Sequence, residues 1–266
     1  MNDKRAIGIF DSGLGGLTVM KEIRKALPGE NIYYLGDTKH VPYGSKSAAT
    51  VTRLSSSNIE YLLKQNVKLI VVACNTSSAL SLADLKKIFR VPMVGVVEPG
   101  AAGAVKASVS GRIGVIGTTG TVGSGAYRKA VKKLLPGARV YSKACPLFVP
   151  LVEEGWWDKK ITGEICAEYL SELRKHRVDT LVLGCTHYPF LKKAIGNVMK
   201  GATLIDSAYE TAHAVRALLA QKGILNTSGR KPAYRFYVTD APEKFKKLGS
   251  SFLRYGIEKV KLLNID

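Results

Sequence analysis

Two cysteines carry the strongest chemical signal in this 266-residue chain. Cys74 follows the apolar run 69–73 and precedes Asn75-Thr76-Ser77-Ser78, while Cys185 follows the apolar run 180–184 and precedes Thr186-His187-Tyr188-Pro189. Each stands where a buried strand should end and a polar, helix-starting segment should begin. In parallel sheets that is the edge at which ligands bind. Ser and Thr are helix-capping types, so free N–H groups of a following helix are expected to point at the ligand and to lower the thiol pKa from about 8.5 toward neutrality. His187 lies two residues beyond Cys185, within assisting reach. Two facing thiols suit one reaction in particular, the removal of a proton from one face of a carbon and its return on the other, with a thiolate as base and the opposite thiol as acid. Asp11-Ser12 at the end of the first apolar run and Tyr43-Gly44 in the loop 37–44 stand ready beside them. Cys145 and Cys166 have no such placement and read as inert buried thiols.

Other chemistries find less support. Gly13-Leu14-Gly15-Gly16-Leu17-Thr18 puts Thr at the last Gly position of a dinucleotide-binding fingerprint, and Gly117-Thr118-Thr119-Gly120-Thr121-Val122-Gly123 lacks its spacing. There is no Walker A pattern and no pattern that marks a pyridoxal-phosphate lysine. Cys185 with His187 is too sparse a pair for zinc, so no metal is expected. Four cysteines without a CxxC pair fit neither a disulfide scaffold nor a zinc ribbon.

The elements that must position these residues alternate. Segments 6–10, 32–35, 68–73 and 93–97 read as buried strands, rich in Ile and Val and bounded by Gly, Pro, Asp or Asn. Leu17, Met20, Ile23 and Leu27 recur at helical spacing up to Pro28-Gly29, and Leu54, Ile59, Leu62 and Gln65 repeat the pattern. In the second half 112–117, 138–142, 180–184 and 203–205 are strand candidates, with helical patterns near 126–135, 160–175 and 207–221. Ile7-Gly8-Ile9 matches Ile113-Gly114-Val115, and the run into Cys74 matches the run into Cys185. Asp11 precedes Cys74 by much the same length of chain as Thr118 precedes Cys185. The expectation is an α/β fold of two similar domains, each a mostly parallel sheet flanked by helices, related by pseudo-two-fold symmetry with the site between them.

Composition narrows the class. Hydrophobic residues make up 46% and charged residues 23%, which excludes a disordered chain. The longest apolar run, 69–74, is far short of the roughly 20 residues that span a bilayer, and the N-terminal apolar stretch is too short for a signal peptide, so no membrane association and a cytoplasmic location are expected. The net charge of +19 is high. Tyr127-Arg128-Lys129-Ala130-Val131-Lys132-Lys133 and Lys244-Phe245-Lys246-Lys247 are basic clusters that suggest an alternative of another class, a nucleic-acid-binding protein, but no nucleic-acid-binding signature accompanies them and solvated helix faces explain them better.

The blocks Phe10-Asp11-Ser12-Gly13-Leu14-Gly15-Gly16-Leu17-Thr18-Val19, Val41-Pro42-Tyr43-Gly44, Ala73-Cys74-Asn75-Thr76, Glu98-Pro99-Gly100-Ala101 and Leu183-Gly184-Cys185-Thr186-His187-Tyr188-Pro189 resemble, in order and over nearly the whole chain, the signature blocks of the glutamate racemase family. The sister aspartate racemases, the alternative, lack the Asp-Ser-Gly-Leu-Gly-Gly opening. The resemblance implies a cofactor-independent enzyme that interconverts L- and D-glutamate and supplies D-glutamate for peptidoglycan. It implies that Cys74 takes the α-proton from the D-enantiomer and Cys185 from the L-enantiomer. Asp11 would partner Cys74, while His187 and Glu153, in the block Pro150-Leu151-Val152-Glu153-Glu154-Gly155, would assist Cys185. Ser12, Tyr43, Gly44, Asn75, Thr76, Thr118 and Thr186 would bind the substrate's carboxylates and ammonium, alongside Asp11 and His187. A discontinuous layout is also implied, 1–97 plus 208–266 as one domain and 98–207 as the other, with 236–238 and 259–263 joining the first sheet. A homodimer is expected, and gyrase binding, reported for some relatives, would be a side activity at most.

Overall fold

The computed structural model describes residues 2–253 and 255–265. Its strands are β1 (Ile7–Asp11), β2 (Ile32–Gly36), β3 (Leu69–Val72), β4 (Met93–Gly95), β5 (Arg112–Gly117), β6 (Arg139–Ala144), β7 (Thr180–Gly184), β8 (Thr203–Asp206), β9 (Tyr234–Val238) and β10 (Val260–Leu262). Between them run α1 (Leu17–Ala26), α2 (Ala48–Lys64), α3 (Asn75–Leu80), α4 (Leu82–Ile88), α5 (Val97–Ala107), α6 (Thr119–Gly123), α7 (Ala126–Leu134), α8 (Phe148–Glu153), α9 (Lys160–Lys175), α10 (Lys192–Val198), α11 (Ser207–Gln221) and α12 (Pro242–Leu253).

Every strand pairing is parallel, in two sheets. One has the order β10-β9-β2-β1-β3-β4 and the other β6-β5-β7-β8. The run β2-β1-β3-β4 of the first sheet follows the order of the second, so β1 corresponds to β5 and β3 to β7; Ile7 pairs with Leu69 as Ile113 pairs with Thr180. β1, β3 and β7 are buried at every position. Helices cover both faces, which is why these strands read as continuous apolar runs instead of alternating ones.

The strands at 112–117 and 180–184 match the reading of the sequence residue for residue. The expected strand 93–97 stops at Gly95, because Val97 already belongs to α5. The expected strand 236–238 begins earlier, at Tyr234: Arg235 breaks the apolar pattern, yet its guanidinium lies over the Tyr33 ring, 4.9 Å from the centroid.

Several contacts hold the two sheets in one body. α1 packs on α11, which also lies against α5. Gly103 on α5 makes this approach possible, since a Cβ there would stand 2.6 Å from Glu210 Cδ. Phe252 of α12 packs at a tilt against Phe190, with ring centroids 4.0 Å apart. Lys68, fully buried, pairs with Glu30 at 2.7 Å and donates to the carbonyls of Asp3 and Ile224 at 2.7 Å each. The two carbonyls accept from the ammonium, and the Glu30 carboxylate lies close enough to pair its charge although not aligned as a hydrogen bond, so the buried charge is compensated.

Candidate active site

Asp11 and Ser12 sit at the end of β1, Cys74 just past β3, Thr118 just past β5 and Cys185 just past β7. These are carboxyl ends of strands, where the chain must leave the sheet and open a crevice. Ser12, Tyr43, Gly44, Cys74, Asn75, Thr76, Thr118, Glu153, Cys185, Thr186 and His187 line one narrow cavity of about 30 Å³, together with Gly13, Val41, Pro42 and Val149. Asp11 is not in its wall. It is fully buried beneath, where the Gly13 N–H donates to its Oδ2 at 3.0 Å and the Thr186 hydroxyl to its Oδ1 at 3.5 Å.

The first wall comes from β3 and α3. Cys74 caps α3, and its thiol donates to Ser12 Oγ at 3.6 Å. The expectation of a lowered thiol pKa is not met here. Burial, reinforced by the Asp11 charge, pushes Cys74 up to about 11 and outweighs the Ser77 N–H and the Ser12 and Ser77 hydroxyls that favour the thiolate. α3 has six residues, too short a dipole to offset desolvation.

The second wall comes from β7. A helix was expected to start after Cys185, but the chain makes a 3-10 turn at Tyr188–Leu191 before α10, and Thr186 caps nothing. Its hydroxyl goes to Asp11 instead. His187 Nδ1 lies 3.8 Å from Cys185 Sγ, and its Nε2 lies 3.3 Å from Glu153 Oε1 at the end of α8, close enough for an ion pair but not aligned as a hydrogen bond. Burial opposes a charge on His187, yet Cys185 and Glu153 together raise its pKa above the usual range. The same partner draws Glu153 down. Burial raises Asp11, against the pull of His187 and the donating N–H groups.

Hydroxyls join the walls. Thr76 Oγ1 is 2.9 Å from Thr118 Oγ1 and 3.3 Å from Thr121 Oγ1, and Thr118 caps α6 by accepting from the Thr121 N–H. Thr18 Oγ1 donates to Thr186 O at 3.3 Å. Tyr43 donates its hydroxyl to Asp37, whose carboxylate also accepts from Thr239 at 2.7 Å and holds His40 Nδ1 at 2.9 Å. Asn58 of α2 donates to the Tyr43 oxygen at 3.2 Å. This network fixes the loop that carries Tyr43-Gly44 into the wall. Gly44 is required there, since a Cβ would stand 2.6 Å from Thr118 Cβ.

Asp37, Thr121, Val149 and Tyr127 were not read from the sequence. Thr118 is a capping residue type, but the N–H it accepts from is backbone and carries no signal for Thr121 itself, and the others depend on contacts between segments far apart in the chain. Cys145 and Cys166 lie away from the cavity, and burial raises both thiols, Cys166 to about 12.

A two-walled cavity with one thiol on each side, hydroxyl and amide donors between them and an imidazole held cationic beside one sulfur is equipped for proton transfer at a carbon flanked by a carboxylate. Its relatives agree. The profile of the Asp/Glu/hydantoin racemase family matches residues 7–216. A glutamate racemase from Geobacter metallireducens is 51% identical over 94% of this chain and 93% of its own. The crystal structure of a glutamate racemase isoform from Bacillus anthracis superposes with a TM-score of 0.95 at 39% identity, covering 99% of this chain and 98% of that one. The glutamate racemase of Francisella tularensis in complex with D-glutamate gives 0.93 at 38% identity, covering 98% of each. The chain belongs to the Asp/Glu/hydantoin racemase family.

Proposed function

We propose that this chain is an isomerase that interconverts L- and D-glutamate, with Cys74 and Cys185 as the two acid-base groups. The observation that carries the reading is the pair of thiols at corresponding strand ends, on opposite walls of one cavity. In the D-to-L direction the Cys74 thiolate takes the α-proton and forms its S–H bond. The electron pair of the broken C–H bond spreads into the α-carboxylate, and the Cys185 S–H delivers a proton to the opposite face. One thiolate and one thiol exchange places in each turnover, and the reverse reaction starts with Cys185 as base.

Charging Cys74 in a buried site costs about 3 kcal/mol for a rise of about two pKa units from the ordinary thiol value of 9.0. A substrate ammonium beside Cys74, drawn also by the Asp11 carboxylate buried behind that wall, offsets that cost. On the other wall the His187 imidazolium donates to the Cys185 sulfur as charge develops there, and Glu153 holds the ring. Ser12, Tyr43, Gly44, Asn75, Thr76, Thr118 and Thr186 bind the substrate's carboxylates and ammonium, and those that present donors to the developing negative charge act most strongly in the transition state.

The same reading includes domains of 1–97 plus 208–266 and of 98–207, supported by the strands each sheet contains. It extends to a homodimer, a cytoplasmic location and the supply of D-glutamate for peptidoglycan; no helix among the described residues is long and apolar enough to cross a membrane. The test is the circular dichroism of L-glutamate, which should decay to zero with the purified chain and no added cofactor, while L-aspartate is left unchanged. An unchanged glutamate signal, or faster loss of the aspartate signal, overturns the reading.

A further inference from the structure

Asn75 lines the cavity with a side-chain amide that is only half engaged. Its Oδ1 accepts from the Tyr127 hydroxyl at 2.7 Å, while its Nδ2 is buried with no hydrogen-bond partner. A buried amide N–H without an acceptor is uncommon in a folded protein and calls for a ligand to meet it. An Asn amide can turn either end toward a ligand, and the two ends have opposite preferences. A carboxylate needs the nitrogen end. Tyr127 O–H, a donor, binds the oxygen and so turns the nitrogen to the substrate.

The placement of Tyr127 is built into both walls. The ring comes from α7, on the side of the second sheet, and reaches across to the residue that follows Cys74. Two glycines make its slot: a Cβ on Gly184, the residue before Cys185, would stand 3.1 Å from Tyr127 Cε2, and a Cβ on Gly100 would stand 3.2 Å from its Cε1 and its hydroxyl oxygen. One buried side chain therefore touches the neighbours of both cysteines, and it is 2% exposed.

We propose that Tyr127 is a positioning residue for glutamate binding: its hydroxyl fixes the Asn75 amide with Nδ2 toward a substrate carboxylate, held there by a ring packed against the residue before Cys185. The proposal rests on the racemase reading above. Removing the hydroxyl leaves the ring and its packing but lets the amide turn its oxygen toward the carboxylate.

The test is a double-mutant cycle on glutamate racemisation with Tyr127→Phe, Asn75→Ala and the double variant, each checked for the parental circular dichroism spectrum and thermal midpoint. Asn75→Ala should lower kcat/KM about 10- to 100-fold, the range for a hydrogen bond to a charged group. Tyr127→Phe should lower it about tenfold, mostly through KM, with kcat within about threefold. The double variant should be no worse than Asn75→Ala alone, because Tyr127 acts through the amide. If the two losses multiply, or if Tyr127→Phe loses kcat at unchanged KM, or loses nothing, the proposal is overturned while the racemase reading stands. If the parent chain does not racemise glutamate, the racemase reading is overturned and this proposal falls with it.

Discussion

Gly15 gives the sharpest test of how the two walls meet. It belongs to the turn after β1, and a Cβ built on it would collide with Thr186 Oγ1 and stand 2.6 Å from His187 Nδ1 and 2.8 Å from His187 Cε1. Ordinary contact is about 3.5 Å, so Gly15→Ala must displace the imidazole or the turn by about 1 Å. The imidazole has little room to yield, being held by Cys185 at 3.8 Å and Glu153 at 3.3 Å. An overpacked site of this kind costs about 1–3 kcal/mol, which in a chain of this size lowers the thermal midpoint by about 2–10 °C. Displacement of an assisting group by about 1 Å costs on the order of 100-fold in rate. The assay is glutamate racemisation beside a thermal melt, with Gly163→Ala as control, since Gly163 on α9 has open space where its Cβ would go. The control should keep full activity and gain about 0.5–1 kcal/mol in stability. A Gly15→Ala enzyme with the parental rate and midpoint would refute the claim that this turn confines Thr186 and His187.

Three further outcomes follow from the charges. Because burial and Asp11 raise Cys74 to about 11, alkylation of Cys74 by iodoacetamide in the substrate-free protein should be slow at pH 8 and climb toward pH 11, and Asp11→Asn should shift that climb to lower pH; mass spectrometry of the labelled peptide reads it, and fast labelling at pH 8 would contradict it. Glu153 helps raise His187, so Glu153→Gln should lower the His187 pKa and move the alkaline fall of kcat to lower pH, whereas an unmoved or upward-shifted limb would exclude this role. Lys68→Met leaves Glu30 charged and buried, so it should destabilise by about 3–5 kcal/mol in denaturant unfolding, with Lys68→Met/Glu30→Leu recovering much of the loss; equal loss in both variants would show that the charge pair is not the cause.

What could be read in the sequence and what could not divide along physical lines. Strands buried on both faces, such as Thr180–Gly184, announce themselves as unbroken apolar runs, and the two cysteines lie at their ends. α5 and α6 were not read, because Val97–Ala107 contains Pro99, Gly100 and Gly103 and Thr119–Gly123 is glycine-rich. Local propensity argues against helix at these places, while Gly100 and Gly103 are needed where Tyr127 and Glu210 approach. Neither the order of the strands nor the return of β9 and β10 to the first sheet leaves a local trace. The thiol environment is hidden for a similar reason: helix-capping residues after Cys74 are visible in sequence, but the burial that dominates its pKa, and the Asp11 charge that reinforces it, come from elsewhere in the chain. His187 with Glu153, Asp37 with Tyr43, and Tyr127 with Asn75 are all partnerships made by the fold.

The central claim, two thiols working on opposite faces of one carbon, is tested most directly by proton exchange in deuterated water with each enantiomer of glutamate, using the parent, Cys74→Ala and Cys185→Ala. The equilibrium constant of a racemisation is one, so each variant must lose kcat/KM equally in both directions, and optical rotation should show no racemisation by either. Exchange should separate them: any α-deuterium incorporated by Cys74→Ala should enter L-glutamate only, through Cys185, and any incorporated by Cys185→Ala should enter D-glutamate only, through Cys74. Racemisation at the parental rate by either variant, or exchange into the opposite enantiomer, would contradict the two-thiol account.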